Sequence, residues 1–284
     1  MNLKSLASPL GIVRILQVVF SCISFSLVAS VHAYGNSYGA WSMFTWCFCF
    51  AITILIIVLE LTEFYNRIPI SWEDFTSAFA MLATLMLFTT SIMYPAVYLH
   101  EGCSGFHCGN LGGATTTSIL CFFAYAVEVG LTRAKPGEIS GFLSTIPGLL
   151  KVFQAYVACI IFSLLPGVYR YPGLQWCVAV YSICFIITTL IIILTIGRLL
   201  PRLPLSFEKV LIGYNILSVA MYITVAVIWP YYWFKDYPSR PSVCEAVCFW
   251  DNVLGITFLT YINLIAYVVD LVYSAKMVFF VTSS

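Results

Sequence analysis

A chain of 284 residues with 61% hydrophobic and only 9% charged residues lies far from the water-soluble balance, in which about a quarter of residues are charged. That composition excludes a soluble globular domain and points to a membrane protein. The formal net charge of +1 gives no basic surface for nucleic acid, and Glu60, Glu63, Glu73, Asp74 and Glu208 interleave with the basic residues, against a polybasic lipid-binding patch.

Hydropathy separates into eight apolar stretches, near 10–31, 42–59, 76–99, 114–132, 149–166, 174–197, 208–229 and 252–275. Each approaches the roughly 20 residues that cross a hydrocarbon core. The first is too long for a cleaved signal segment and is expected to stay inserted. Neither Met1-Asn2 nor the terminal Val281-Thr282-Ser283-Ser284 carries a lipidation motif. With eight spans, both termini and alternate loops share one side. That side collects Lys4, Arg14, Arg67, Arg133, Lys135, Lys151, Arg198, Arg202, Lys209 and Lys276, against Arg170, Lys235 and Arg240 opposite, so both termini are expected in the cytoplasm. Of eleven cysteines, Cys103 and Cys108 fall in one outer loop and Cys244 and Cys248 in another, where an oxidising compartment favours a disulfide within each loop. Trp41, Trp46, Trp176, Trp229, Tyr231, Tyr232 and Trp233 are expected as an outer aromatic belt.

The first half repeats in the second. SPLGIVRILQVVFSCISFSL from Ser8 overlays TIPGLLKVFQAYVACIIFSL from Thr145, matching Gly11 with Gly148, Arg14 with Lys151 and Gln17 with Gln154. RIPISWE (Arg67 to Glu73) then meets RLPLSFE (Arg202 to Glu208), and AYAVEV ending at Val129 meets AYVVDL ending at Leu271. The phrase reads as a helix start: Ser71 and Ser206 as N-caps, with Glu73 and Glu208 placing negative charge in the first turn. A peptide-docking epitope is its rival. A four-span unit returns the chain to its side of entry, so the copies are expected in parallel orientation. The expected divisions are a tail at 1–8, a first repeat at 9–135, a linker at 136–147, a second repeat at 148–277 and a tail at 278–284. The linker region, with Pro136, Gly137, Gly141, Pro147 and Gly148, is the expected place for protein partners.

SMFTWCFCF (Ser42 to Phe50), AKPGEISGFLSTIPGLLKV (Ala134 to Val152) and LQWCVAVYSICF (Leu174 to Phe185) resemble the myeloid-associated differentiation marker family over nearly the whole chain. The resemblance implies an all-α polytopic membrane protein of eight transmembrane helices, built as two tandem four-helix MARVEL-like bundles. It further implies a non-enzymatic organiser of cholesterol-rich membrane domains and trafficking or contact sites, at the plasma membrane or endomembrane vesicles. The partners it implies are the bilayer with its cholesterol, and membrane or cytoplasmic proteins; it leaves room for a homo-oligomer and requires no cofactor. The short amino-terminal tail and the compact loop after Pro166 depart from the family pattern.

Charges inside spans are costly and raise a functional question. Arg14 and Glu128 lie about equally deep in the first and fourth spans, and Lys151 and Asp270 repeat the arrangement. Two readings stand: an ion pair stapling first to last helix in each repeat, or four side chains snorkelling separately to the headgroups. HEGCSGFHC (His100 to Cys108) carries two His and two Cys, superficially a zinc set, but the second repeat keeps cysteines without histidines, and an oxidised pair is the preferred reading. Gly213, Ser218, Ala220 and Gly255 are candidate close-packing positions, with no GxxxG inside a predicted span. No hydrolase, nucleotide or metalloprotease fingerprint occurs. The leading expectation is a membrane-organising protein; the alternative is a transport or receptor-like accessory protein with a groove between the repeats.

Overall fold

The computed structural model describes residues 7–35, 37–99, 105–132, 141–165, 171–199, 207–241 and 248–282. These form eight helices long and apolar enough to cross a membrane: α1 (Pro9–Ser30), α2 (Ser37–Leu61), α3 (Trp72–Tyr98), α4 (Gly105–Thr132), α5 (Ile146–Leu164), α6 (Pro172–Ile196), α7 (Phe207–Asp236) and α8 (Phe249–Thr282). No strand occurs among the described residues. The chain is a multi-pass membrane protein, and it divides into two compact units, Met1–Ser140 and Gly141–Ser284.

In the first unit each helix packs on the next and α4 closes back on α1. The second unit repeats this ring with α5 to α8. Short connections between long helices make sequential neighbours antiparallel, as in an up-down bundle. The buried face of α1 is Gly11, Arg14, Gln17, Ser21, Ser24 and Val28, at helical spacing, whereas Ile12, Ile15, Leu16, Val19 and Ile23 face outward. A soluble amphipathic helix does the reverse. Phe88, Ile92, Phe123, Ile186, Ile193, Val227, Phe258 and Ile265 continue the apolar outer surface on the other helices.

Local sequence sets the starts of α1 and α5 by one device. The Ser8 hydroxyl accepts from the Gly11 N–H at 3.1 Å and the Thr145 hydroxyl from the Gly148 N–H at 3.4 Å, each followed by a proline in the first turn. Ser71, expected to cap α3, holds the N-cap position but makes no side-chain cap bond. Its ψ is 101°, against 154° and 163° at the capping residues Ser8 and Thr145. Glu73 and Asp74 do lie in that turn. Ser206 lies outside the described residues, as do Pro136 and Gly137.

Further expectations need correction. Pro147 and Gly148 are not open linker: both are buried in the first turn of α5, behind the 3-10 turn Phe142–Ser144 that follows Gly141. The Thr145 cap pulls this segment onto the bundle, and a Cβ at Gly148 would collide with the Phe142 carbonyl. Helix α4 begins at Gly105, nine residues before the apolar stretch does, because its buried Leu111 is embedded in a glycine-rich run that dilutes hydropathy. It therefore contains Gly105-x3-Gly109-x3-Gly113. His107 and Cys108 are consequently helical, and Cys108 carries a free thiol where pairing with Cys103 was expected. A helical turn fixes the Cβ direction that a disulfide must match. Cys248 is disulfide-bonded, and Cys103 and Cys244 lie outside the described residues. Helices α3 and α7 run through Pro95 and Pro230, and the Ala226 carbonyl that Pro230 leaves without its helical donor accepts from the Tyr261 hydroxyl at 3.0 Å. Trp46 and Trp229 are core residues with no exposed surface, not belt residues. Gly213 faces open space with nothing within 4 Å of an added Cβ, so it marks no close approach.

Gly148→Ala is expected to destabilise the protein by roughly 1–3 kcal/mol through overpacking, while Gly213→Ala is neutral or slightly stabilising. Thermal unfolding of the detergent-purified variants checks both, and equal melting temperatures would contradict the packing described at Gly148.

Candidate functional site: a polar lock inside each bundle

The inward face of α1 places Arg14 against α4, where its Nε donates to Glu128 Oε1 at 2.7 Å. Its Nη1 donates to Glu60 Oε2, from the last turn of α2. One turn along α1, Gln17 Nε2 donates to Glu128 Oε2 at 2.7 Å and to the Ala124 carbonyl at 3.4 Å. Both carboxylate oxygens of Glu128 are thereby engaged. The indole N–H of Trp72, the first residue of α3, donates to Glu60 Oε1 at 3.0 Å. All four helices of the unit thus meet in one network. Arg14 and Glu128 are buried, and the Glu60 side chain retains 22% of its surface.

The second unit builds the same joint with different chemistry. Lys151 Nζ lies 2.8 Å from Asp270 Oδ2, 2.6 Å from Asn215 Oδ1 and 3.2 Å from Gln154 Oε1, so three acceptors meet the three ammonium hydrogens. Gln154 Nε2 donates to Asp270 Oδ2 at 3.0 Å, and Asn215 Nδ2 and the Ser274 hydroxyl each donate to Asp270 Oδ1 at 3.1 Å. The ammonium also lies 4.7 Å from the Tyr214 ring centre and 5.4 Å from that of Tyr267, a cation–π arrangement. Lys151, Gln154, Asn215 and Asp270 have no exposed surface. A desolvated charge is tolerated only when paired and hydrogen-bonded, and the cations and carboxylates of both networks are, although Gln17 Oε1 is buried without a partner.

Deeper in each bundle a second tier repeats. The Thr53 hydroxyl meets the Tyr125 hydroxyl, which donates to the Cys49 carbonyl at 3.2 Å. Thr188 meets Tyr214 and Tyr267 at 2.6 and 3.1 Å, and Tyr214 donates to the Cys184 carbonyl at 2.9 Å. Trp46 Nε1 donates to Ser118 at 3.0 Å, and in the same register Tyr181 and Thr260 share a hydrogen bond of 2.6 Å. Thr45 and Thr90, by contrast, bury hydroxyls without a partner.

The structure therefore brings Arg14 to Glu128 and Lys151 to Asp270, and it adds residues that sequence reasoning missed. Glu60 sits in a charge-rich stretch and reads as an interfacial acid, while Asn215 is a single amide in an apolar run. The signal for Asn215 was available, since an amide in a span needs a partner. Among the described residues no cluster of three or more His, Cys, Asp or Glu residues fits a metal ion.

Two stretches of the chain, residues 5–131 and 142–273, match the membrane-associating domain MARVEL. The chain is 46% identical to the Myeloid-associated differentiation marker of Rattus norvegicus, over 97% of this chain and 92% of that protein. The Homo sapiens protein of the same name is also 46% identical, over 97% and 90%. Myeloid-associated differentiation marker-like protein 2 of Homo sapiens is 40% identical, over 98% and 95%. No solved structure matches the chain.

Removing one partner of a buried pair strands the other. Asp270→Leu is therefore expected to destabilise by about 3–5 kcal/mol, and the double variant Lys151→Met/Asp270→Leu to recover part of that loss, the part due to the stranded ammonium, since Gln154, Asn215 and Ser274 still lose their acceptor. Unfolding of both in detergent checks it; a double variant as unstable as the single would contradict the pairing.

Proposed function

The chain belongs to the MARVEL family of membrane-associating domains, and from that premise we propose that it organises membrane microdomains or protein assemblies without catalysing a reaction. The observation that carries this reading is the direction of its polarity. Charged and amide side chains turn inward and bond one another, while large apolar side chains dominate the outer surface of most helices. Such a body interacts with its surroundings through lateral contacts with lipid tails and neighbouring helices, and through its loops. The buried charges of each unit are engaged in holding helices together, which leaves them unavailable to line a solute path.

Charge asymmetry of the loops supports both termini in the cytoplasm. Resemblance to the family supports a cholesterol-rich setting at the plasma membrane or on endomembrane vesicles, and assembly with membrane or cytoplasmic proteins or with further copies of the chain.

Labelled protein reconstituted at low density into liposomes with and without cholesterol tests the proposal. Clustering that rises with cholesterol, with no uptake or conductance, is expected. Flux without clustering would overturn it in favour of a transport or accessory role. Epitope tags at the two ends are expected to become accessible together, only after the plasma membrane is permeabilised; tags on opposite faces would contradict the orientation.

A further inference from the structure

The two locks differ in one respect that bears on behaviour rather than on stability alone. In the second unit the polar centre is closed: Lys151 takes its acceptors from α5, α7 and α8, and every one is buried. In the first unit the third contact of the lock comes from Glu60, in the last turn of α2, whose other oxygen is held by Trp72 at the start of α3. Between these two residues lies the connecting segment 62–71. It holds a left-handed Glu63 at φ 56° and the 3-10 turn Phe64–Arg67, and exposes Phe64 at 49%. Ser71 supplies no side-chain cap at its far end. Besides backbone bonds at its two ends, the segment is held to the bundle by the Trp72 ring, 5.6 Å from that of Tyr65, and by the bond from Trp72 to Glu60.

The repeat identifies this contact as an addition rather than a requirement of the fold. In matching register the second half has Thr195 for Glu60 and Phe207 for Trp72, so acceptor and donor are absent together. Thr195 bonds its own helix at the Ile191 carbonyl, 2.7 Å away. Asn215, where the first half has Ala80, completes the second lock from within.

We propose that Trp72, Glu60 and Arg14 form a latch that couples segment 62–71 to the buried α1–α4 joint of the first unit. With the latch closed, the segment is ordered on the bundle and Arg14 is held by two carboxylates. When Glu60 turns outward through the 22% of its side chain already exposed, the segment is released while Arg14 keeps Glu128.

The test is hydrogen exchange of the full-length protein in lipid nanodiscs. Trp72→Phe keeps an aromatic ring, as in the second repeat, but removes the N–H. It is expected to accelerate exchange of segment 62–71 by roughly ten-fold, the scale of one hydrogen bond to a charged group, with α4 around Glu128 unchanged. Glu60→Gln, which keeps an acceptor for Trp72 but breaks the ion pair, is expected to accelerate exchange at 11–17 more than at 62–71. Wild-type exchange at 62–71 in Trp72→Phe, or equal acceleration in all four helices, would overturn the proposal. Should Trp72→Phe fail to accumulate, unchanged exchange at 11–17 in Glu60→Gln would overturn it as well.

Discussion

A charge or amide left alone in hydrocarbon is costly enough to decide how helices are arranged around it. In this protein the constraint acts at the first helix of each unit, where Arg14 and Lys151 must find an acid. The acid comes from the last helix, Glu128 or Asp270, so meeting the electrostatic demand also closes the ring of four. Gln17 and Gln154, one turn along, bridge to the same acids and fix the rotation of the helix that carries them. Apolar packing then fills what the polar joint has registered: Trp46, Tyr94 and Tyr125 in the first core, Tyr181, Tyr222, Trp229 and Tyr267 in the second.

Duplication exposes what the joint needs and what it tolerates. The cation changes from guanidinium to ammonium and the acid from Glu to Asp, yet the helices that supply them do not. The third partner is freer: a carboxylate from α2 in one unit, an amide from α7 in the other. Arg14 forks toward two carboxylates, whereas the compact ammonium of Lys151 sits in a tripod of oxygens above two tyrosine rings. The hydroxyl tier of Thr53 with Tyr125 and of Thr188 with Tyr267 is retained, which places the aromatic cores alike.

Much of this architecture is legible in the sequence, because eight apolar runs and a half-to-half repeat are properties of composition and spacing. The helix ends are less so: hydropathy falls at Pro230 and the glycine-rich start of α4, but a backbone continues wherever its hydrogen bonds are met. Equal depth of Arg14 and Glu128 marks a pair as one of two readings, and helix rotation, which selects between pairing and snorkelling, is a tertiary property. Glu60 and Trp72 stay hidden because each is ordinary at a membrane interface, and only the fold brings them together. Ser71 has the right residue type at the right place, yet its side chain makes no cap bond.

A body whose polar chemistry is spent internally presents mainly hydrocarbon to its surroundings, which suits a role exercised through lateral contacts and loops. All of it rests on the cation of the first helix touching the acid of the last. Rotational-echo solid-state NMR between labelled Lys151 Nζ and Asp270 Cγ, in bilayers, reads that contact directly. The contact at 2.8 Å predicts strong dephasing from a nitrogen-to-carbon separation under about 4 Å, as a charge-assisted hydrogen bond requires. Absence of dephasing, with the ammonium signal of a hydrated lysine, would contradict it.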